Sequence, residues 1–159
     1  MTPSIPLRAL IVAIWAAIHP AAPKLLDAPE IADAITTAVN EDQQPPVFGS
    51  REEDAAIMAY WALRESWLAK GAVGDHGRSY GVWQEPEITG RADVLTQARA
   101  WLVTLHEGQR ICPASPAAPL SGGCNAARGL ANRRVARARA LLNQVKLSFA
   151  VTGDPFAAN

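Results

Sequence analysis

The sequence has few cysteines, few histidines and no excess of charge, and each shortage excludes a class of protein. Two cysteines without CxxC spacing do not form a standard structural zinc site, which needs four ligands. The 15 basic and 15 acidic side chains balance, so bulk electrostatics give no reason to expect a nucleic-acid partner. About half of the 159 residues are apolar, which predicts one globular domain over residues 1–159 rather than disorder.

The N-terminal apolar run is too short to span a membrane. It reads LRALIVAIWAAI at residues 7–18, whereas a bilayer requires about 20 apolar residues. The run resembles the core of a signal peptide, but the first nine residues contain two prolines and only one charged side chain, Arg8. We therefore expect a helix retained in the core, with a signal sequence as the alternative, and no membrane span.

The two cysteines, Cys112 and Cys124, bound a segment rich in Pro, Ser and Gly that forms little structure of its own. A disulfide here would stabilise the fold by roughly 3 kcal/mol in the chain-entropy view, whose mechanism is disputed. We predict this disulfide, which points to an oxidising compartment or a virion. The alternatives are two unrelated buried thiols, or a zinc site with His106 that lacks an evident fourth ligand.

Helical periodicity dominates the rest of the chain. Apolar stripes predict helices at residues 27–40, 50–68, 92–105 and 126–149, with Asp27 as an N-cap and Ser50 with Glu53 in capping-box spacing. The tryptophans within the predicted helices are expected in the core. Strand signal is confined to residues 80–84. The sequence therefore predicts a mainly α domain with at most a very short β element. The four tryptophans assigned to the core are Trp15, Trp61, Trp67 and Trp101.

Glu65 lies near the C-terminal end of the helix predicted at residues 50–68, on the face that carries Met58 and Trp61. Partial desolvation and the negative end of the helix dipole both favour the protonated carboxyl at this position. A carboxyl that holds its proton can protonate a glycosidic leaving oxygen. The alternative is an ordinary solvated glutamate with Arg64 and Lys70 nearby.

The segment GAVGDHGRSYG that follows is rich in glycine, which permits positive backbone angles and close approach of a ligand. Such a loop could bring Asp75 back over the helix end that carries Glu65. Ser79 and Gln84 would then offer hydrogen bonds to a sugar, and Tyr80 with Trp83 would offer flat apolar faces. The alternative is a turn-rich connector with a capping aspartate.

Glu65-Ser66, followed by Gly-Asp-x-Gly-x-Ser-Tyr-Gly-Val-Trp-Gln at residues 74–84, resembles the active-site segment of goose-type lysozymes and soluble lytic transglycosylases. The resemblance covers roughly residues 50–90. It implies a lysozyme-like, mostly helical fold and cleavage of the β-1,4 bond between N-acetylmuramic acid and N-acetylglucosamine in peptidoglycan glycan strands. We expect no cofactor and no metal.

The resemblance also implies roles for single residues. Glu65 would be the catalytic acid, and Asp75 would correspond to the aspartate that positions water. Ser66, Ser79 and Gln84 would contact the sugar or shape the cleft, and Asn125 is the nearest counterpart of a residue that lines it. Tyr80 and Trp83 are candidate sugar contacts because of their flat rings, and Trp83 could equally be a core residue.

Two departures from the family pattern concern the second catalytic group and the far wall of the cleft. The family often has another aspartate shortly after the Gln, where this chain has Glu85, Pro86 and Glu87. A Tyr-Asn-x-Gly element has its nearest counterpart in SGGCNAA, with Asn125 but no tyrosine. An inverting hydrolase needs a base, for which Asp75 is the first candidate, with Glu85 or Glu87 behind it. A lytic transglycosylase uses the single glutamate and yields a 1,6-anhydro product; both mechanisms stay open.

The helix predicted at residues 126–149 is basic. Its apolar stripe contains Leu130, Ala138, Leu141 and Val145, and Arg134 interrupts it. A solvated charged face is the simpler interpretation, and attraction to anionic cell-wall polymers is the functional one.

A different functional class is also compatible with these motifs. The chain could be a catalytically silent structural or wall-binding component of a phage tail or baseplate, with other tail or baseplate proteins as partners. Glu65 argues against this alternative, because a binding role needs no carboxyl on that face. In either case we expect a location outside the cytoplasm, as a secreted, periplasmic or virion-associated protein.

Overall fold

The computed structural model describes residues 4–157, and its architecture is mainly helical with one very short hairpin. This confirms the predicted fold class. The elements in chain order are α1 (Leu7–Ile18), α2 (Ala28–Glu41), α3 (Arg51–Ser66), β1 (Val73–Gly74), β2 (Ser79–Tyr80), α4 (Glu87–Gly90), α5 (Val94–Ile111) and α6 (Arg128–Thr152), with 3-10 turns at Ala22–Lys24 and Ala118–Ser121.

Helix α3 is the centre of the fold. It packs against α1, α2 and α6, and α5 packs against α2. Trp15 of α1 is fully buried and donates from its indole nitrogen to the carbonyl of Ala59, 2.9 Å away. Trp61 and Trp101 are also buried and meet edge to face, with ring centroids 6.2 Å apart. The N-terminal apolar run is therefore part of the core in this structure.

Helices α3 and α6 run in opposite directions along each other. The start of α3 pairs with the later part of α6, because Glu53 accepts from Arg139 at 2.9 Å, and the end of α3 pairs with the beginning of α6 through Glu65 and Arg134. Apolar side chains from α1, α3 and α6 also pack together in one buried cluster. This packing carries Arg134 to the helix end on which Glu65 lies.

The predicted caps are partly realised. The Ser50 hydroxyl accepts from the amide of Glu53 at 3.1 Å, as the capping box requires, but the Glu53 side chain bonds Arg139 instead of the cap. Asp27 precedes α2 without capping it, because its Oδ2 accepts the amide of Lys70 at 3.0 Å. Glu53 and Asp27 therefore each bond a residue that is distant in the sequence instead of the capping partner within their own helix.

Two predicted core residues are exposed, so those assignments are wrong. Trp67 is 48% exposed because α3 ends at Ser66 and Trp67 turns into the left-handed region, with φ of 54°. Leu130 is 41% exposed; it lies in the first turn of α6, at the N-terminal end of the stripe that is buried at Ala138, Leu141 and Val145.

The length of α5, the presence of α4 and the extent of the β element also differ from prediction. Helix α5 is longer, and it ends at Ile111 rather than near residue 105. Helix α4 was not predicted. The hairpin pairs Val73 with Tyr80 and Gly74 with Ser79, so its first strand lies outside the predicted range of 80–84. Short strands of this kind depend on a partner strand rather than on local propensity.

Cys112 and Cys124 form the predicted disulfide, with Cα atoms 5.6 Å apart. This excludes the thiol and zinc alternatives; His106 instead places Nε2 2.6 Å from Oδ2 of Asp42. A disulfide is consistent with an oxidising environment. Within residues 4–157, none of the helices combines the length and the apolar character required to cross a membrane.

Candidate functional site

Glu65 lies in the last turn of α3 and is in contact with a cation. Its side chain is 25% exposed and accepts a hydrogen bond from Nη1 of Arg134, a residue 69 positions later in the chain. The Arg134 guanidinium also lies 5.2 Å from the ring centroid of Trp61, one helical turn before Glu65. The sequence led us to expect a half-apolar environment for this carboxyl, whereas the structure pairs it with a guanidinium.

The hairpin brings together three of the predicted site residues. The Ser79 hydroxyl lies 2.9 Å from Oδ2 of Asp75 and 3.1 Å from Oε1 of Gln84, and it donates its single proton to one of them at a time. Gln84 also donates from Nε2 to the carbonyl of Gly81, 2.9 Å away. Asp75, Ser79 and Gln84 therefore form one connected group, which we call the hairpin cluster.

The backbone of the hairpin cluster is unusual, and Gly74 has a specific reason to be glycine. Asp75 and Gln84 have φ of 49° and 54°, in the left-handed region that non-glycine residues rarely adopt. A Cβ on Gly74 would lie 2.0 Å from Oε1 of Gln84, so a side chain there would displace the Gln84 amide. Such strain occurs where the surrounding structure holds the chain firmly, and it is often found at functional sites.

Two long-range hydrogen bonds hold the segment that carries Gln84. The indole nitrogen of Trp83 donates to the carbonyl of Met58 at 3.1 Å, which ties the segment to α3 two turns before Glu65. The amide of Val82 donates to Oε1 of Gln97 at 2.8 Å. The hairpin cluster is thereby attached to the same helix that carries Glu65.

Gln97 is a positioning residue that our sequence reasoning missed. It is 1% exposed, accepts from Val82 and donates to the carbonyl of Ala92 at 2.8 Å. The signal was available, because Gln97 lies among the buried apolar residues of α5, between Val94 and Trp101. A glutamine on an apolar stripe needs internal hydrogen-bond partners.

Several residues predicted to contact sugar have other partners in the structure. The hydroxyl of Ser66 donates back to the carbonyl of Ala62 at 3.0 Å. Trp83 is 4% exposed, so its ring is part of the core and offers no face to a sugar. Ser79, which joins the other two members of the hairpin cluster, is itself buried. These three side chains support the local structure rather than present a surface.

Tyr80, Asn125 and Trp67 are the more accessible candidates. The Tyr80 hydroxyl donates to the carbonyl of Gly77 at 2.6 Å, and the guanidinium of Arg91 lies 4.5 Å from its ring centroid. Asn125 is exposed in the loop before α6. Trp67, expected in the core, is instead the exposed indole nearest to Glu65 in sequence.

The three candidates for a second catalytic carboxyl lie in different surroundings. Asp75 is exposed and bonded to Ser79. Glu87 is exposed and paired with Arg91 at 3.1 Å. Glu85 is largely buried, and among the described residues its Oε2 has no hydrogen-bond partner. Burial raises the pKa of Glu85 to about 7, so this carboxyl retains its proton close to neutral pH.

The cavity of about 670 Å³ beside α6 lies away from these residues. Phe48, Pro116 and Asn132 are among its lining residues, and it does not include Glu65 or the hairpin cluster. By helical geometry, Asn132 and Arg134 lie on roughly opposite faces of α6. Within the described part of the chain, no group of three or more His, Cys, Asp or Glu side chains is arranged to hold a metal ion.

Comparisons of the chain with known proteins found no match. No protein-family model matches the chain, and no curated protein or solved structure is significantly similar to it. The resemblance to goose-type lysozymes and lytic transglycosylases therefore depends on the motif in residues 50–90 alone and stays a prediction.

Proposed function

We propose that the protein is a peptidoglycan-cleaving glycosidase in which Glu65 is the catalytic acid. The observation that carries the proposal is the placement of Glu65 in the last turn of α3, with the hairpin cluster following directly and tied back to α3 through Trp83. Glycosidases need a carboxyl that can deliver a proton to the glycosidic oxygen, and uncharged hydrogen-bonding groups that hold the sugar. The order of these residues in the sequence supports the same assignment.

In this proposal Glu65 protonates the oxygen of the β-1,4 bond as the bond to the muramic acid C1 breaks. A hydrolase then needs a base that activates water. Asp75 is the first candidate, because Ser79 fixes its orientation. Glu85 is the second, because a pKa of about 7 suits a base near neutral pH. A transglycosylase would use the muramic C6 hydroxyl and return the proton to Glu65.

The wall substrate lies outside the cytoplasm, so we propose a secreted, periplasmic or virion-associated protein. The disulfide between Cys112 and Cys124 is compatible with such a location.

Glu65→Gln is expected to abolish wall cleavage while leaving the fold intact, because it keeps the shape of the side chain and removes the proton. The measurement is mass spectrometry of soluble fragments released from purified peptidoglycan. Fragments with reducing muramic ends would indicate a hydrolase, and 1,6-anhydro ends would indicate a transglycosylase.

Glu107→Gln is the matched control, because Glu107 is exposed on α5 and its ion pair with Arg110 lies on the surface. It should cleave at the rate of the wild type. A Glu65→Gln variant that is folded and fully active would refute the assignment of Glu65.

The Glu65–Arg134 ion pair favours one alternative, a structural or wall-binding component of a phage tail or baseplate. Ion pairs between neighbouring helices also occur for purely structural reasons, and this one joins α3 to α6. In that case the wild type would bind sacculi without releasing fragments from any of several wall types.

A further inference from the structure

The cavity of about 670 Å³ beside α6 is outside the candidate site, and its volume is typical of ligand-binding sites. One side of α6 forms its floor, while the cysteine-bounded loop and the segment before α3 form its walls. We call this cavity the α6 groove. The α6 residues that line it recur at helical intervals of three and four, and they are Asn132, Val135, Ala136, Arg139, Ala140 and Asn143.

The walls of the α6 groove are held in place by contacts within the protein. Asp54, which is 3% exposed, accepts the amides of Val47 and Phe48 at 3.0 and 2.9 Å. In the cysteine-bounded loop, the Ser115 hydroxyl donates to Oδ1 of Asn132 at 2.7 Å, and the disulfide closes that loop. A site whose walls are fixed before binding loses little entropy when a ligand enters.

Two asparagines have unused hydrogen-bonding groups in the α6 groove. Asn132 accepts from Ser115 through Oδ1, but its Nδ2 has no partner among the described residues. Asn143 is exposed, and its side-chain amide bonds no residue in the range 4–157. A carboxamide offers both an acceptor and two donor hydrogens, which match the N–H and C=O of a peptide backbone. The two asparagines lie about 16 Å apart along the helix axis, which is the length of about five extended residues.

The charges around the α6 groove indicate an uncharged ligand. Arg139 is the only charged side chain among the lining residues, and it is already paired with Glu53 at 2.9 Å. A charged ligand would therefore meet no free opposite charge. The cavity volume is spread along the distance between the two asparagines, so the groove is narrow and suits small side chains.

The single aromatic ring in the lining favours a peptide over a sugar. The ring is that of Phe48, and the Arg139 guanidinium lies 5.4 Å from its centroid. Phe48 also packs against the core, so its ring offers little free surface on which a pyranose could stack. An extended peptide needs only partners for its backbone and apolar walls, which Pro113 and Pro116 supply.

We propose that the α6 groove binds an extended segment of another protein, about five small and uncharged residues long, whose backbone pairs with the amides of Asn132 and Asn143. The stem peptides of peptidoglycan carry carboxylates, which find no free cation in this groove. The inference goes beyond the proposed function and does not depend on it, because the α6 groove includes neither Glu65 nor the hairpin cluster.

NMR titration of the ¹⁵N-labelled wild type with pentaalanine, acetylated at its N-terminus and amidated at its C-terminus, tests the proposal. The side-chain NH₂ signals of Asn132 and Asn143 should shift in a saturable way. Backbone shifts should be confined to the lining of the α6 groove. A chitin oligosaccharide and a wall stem peptide are titrated in parallel, and each should bind about tenfold more weakly or not at all.

Asn143→Ala should weaken the binding of pentaalanine about fivefold, because a hydrogen-bonded pair is lost. Asn40→Ala is the matched control, since Asn40 is an exposed asparagine on α2 that does not line the groove. It should bind as the wild type does. Ala140→Leu places a larger side chain in the groove at an exposed helical position and should abolish the shifts. Circular dichroism checks that each variant is folded.

The outcomes are independent of wall cleavage, which tests Glu65. The absence of saturable shifts at Asn132 and Asn143, or equal weakening in Asn40→Ala and Asn143→Ala, overturns the peptide site. Unchanged binding by a folded Ala140→Leu variant also overturns it, because the ligand would then lie elsewhere. If the chitin oligosaccharide or the stem peptide binds the groove as tightly as pentaalanine, the ligand is not an uncharged protein segment and the assignment is wrong.

Discussion

At the residue scale, two glutamates on neighbouring segments show how surroundings determine the chemistry of one side-chain type. Glu65 forms an ion pair with the Arg134 guanidinium. Glu85 has no such partner, and burial raises its pKa to about 7. The helix dipole and the apolar face, from which we predicted the surroundings of Glu65, are both features of α3. Arg134, the residue that contacts Glu65, lies on α6.

Glu85 should make the protein less stable as the pH rises from about 5 to 8. The folded state retains the Glu85 proton up to about pH 7, whereas the unfolded chain releases it near the ordinary pKa of 4.5. The stabilisation is therefore fully present below pH 4.5 and is lost as the pH approaches 7. After discounting for partial exposure, the loss is about 2 kcal/mol. Urea unfolding across this pH range measures it.

Comparison of two glutamine variants isolates the contribution of Glu85. Glu85→Gln should flatten the pH dependence relative to the wild type, because the titrating group is gone. Glu87→Gln replaces an exposed glutamate two positions away and should leave the dependence unchanged. Parallel curves for the wild type and Glu85→Gln would show that this carboxyl is well solvated.

At the element scale, close backbone contacts determine how the helices meet the loops. Gly90 of α4 lies against the backbone of Tyr80, and a Cβ there would be 2.3 Å from the Tyr80 carbonyl oxygen. Gly108 of α5 lies against the loop bounded by the cysteines, where a Cβ would be 1.9 Å from the carbonyl oxygen of Pro116. Backbone atoms cannot move aside as a flexible side chain can, so these contacts set the distances between elements.

Gly108→Ala is expected to destabilise the protein by about 2 kcal/mol, because the new methyl group forces α5 away from Pro116. Helix propensity alone predicts the opposite sign, since alanine is favoured over glycine inside a helix by about 1 kcal/mol. Thermal unfolding monitored by circular dichroism distinguishes the two outcomes.

Gly129→Ala makes the same change in the first turn of α6 and serves as the control. Its Cβ would meet only the movable Nη1 of Arg133, at 3.4 Å. It should be neutral or stabilise by about 0.5 kcal/mol. If Gly108→Ala were as stable as Gly129→Ala, the contact between α5 and Pro116 would be looser than the structure describes.

At the scale of the whole molecule, contacts between distant segments hold α6 and the cysteine-bounded loop onto the core. The Ser115 hydroxyl inside that loop donates to Oδ1 of Asn132 at 2.7 Å, and Arg139 reaches the Phe48 carbonyl at 3.2 Å. The disulfide closes a loop with a sequence separation of 12 residues. It therefore restricts the segment on which the beginning of α6 rests.

Replacing Cys112 and Cys124 together by serine should lower the free energy of unfolding by about 3 kcal/mol, mainly by freeing the unfolded chain. Urea unfolding measures the change, and the wild type in reducing agent should show the same loss. Unchanged stability in both samples would mean that the loop is held by Ser115 and its neighbours without the covalent bond.

Particular residues show how far the site could be predicted. The alternation of glycine and polar residues at positions 74–84 singled out Asp75, Ser79 and Gln84, and the structure connects them through hydrogen bonds. Their short separation explains this success, because a hairpin is a local structure. Trp67 and Trp83 were misjudged, since exposure of an aromatic ring depends on where a helix ends and what packs over it.

The sequence by itself determined the mainly helical class, the pairing of the two cysteines and the local cluster in the hairpin, because periodicity, composition and short-range geometry express these features directly. Only the tertiary structure decided that Arg134 meets Glu65, that Gln97 holds the Gln84 segment, and that Glu85 rather than Glu87 is buried. These contacts join separate elements, and a carboxyl's proton affinity depends on the charges and solvent that reach it across such contacts.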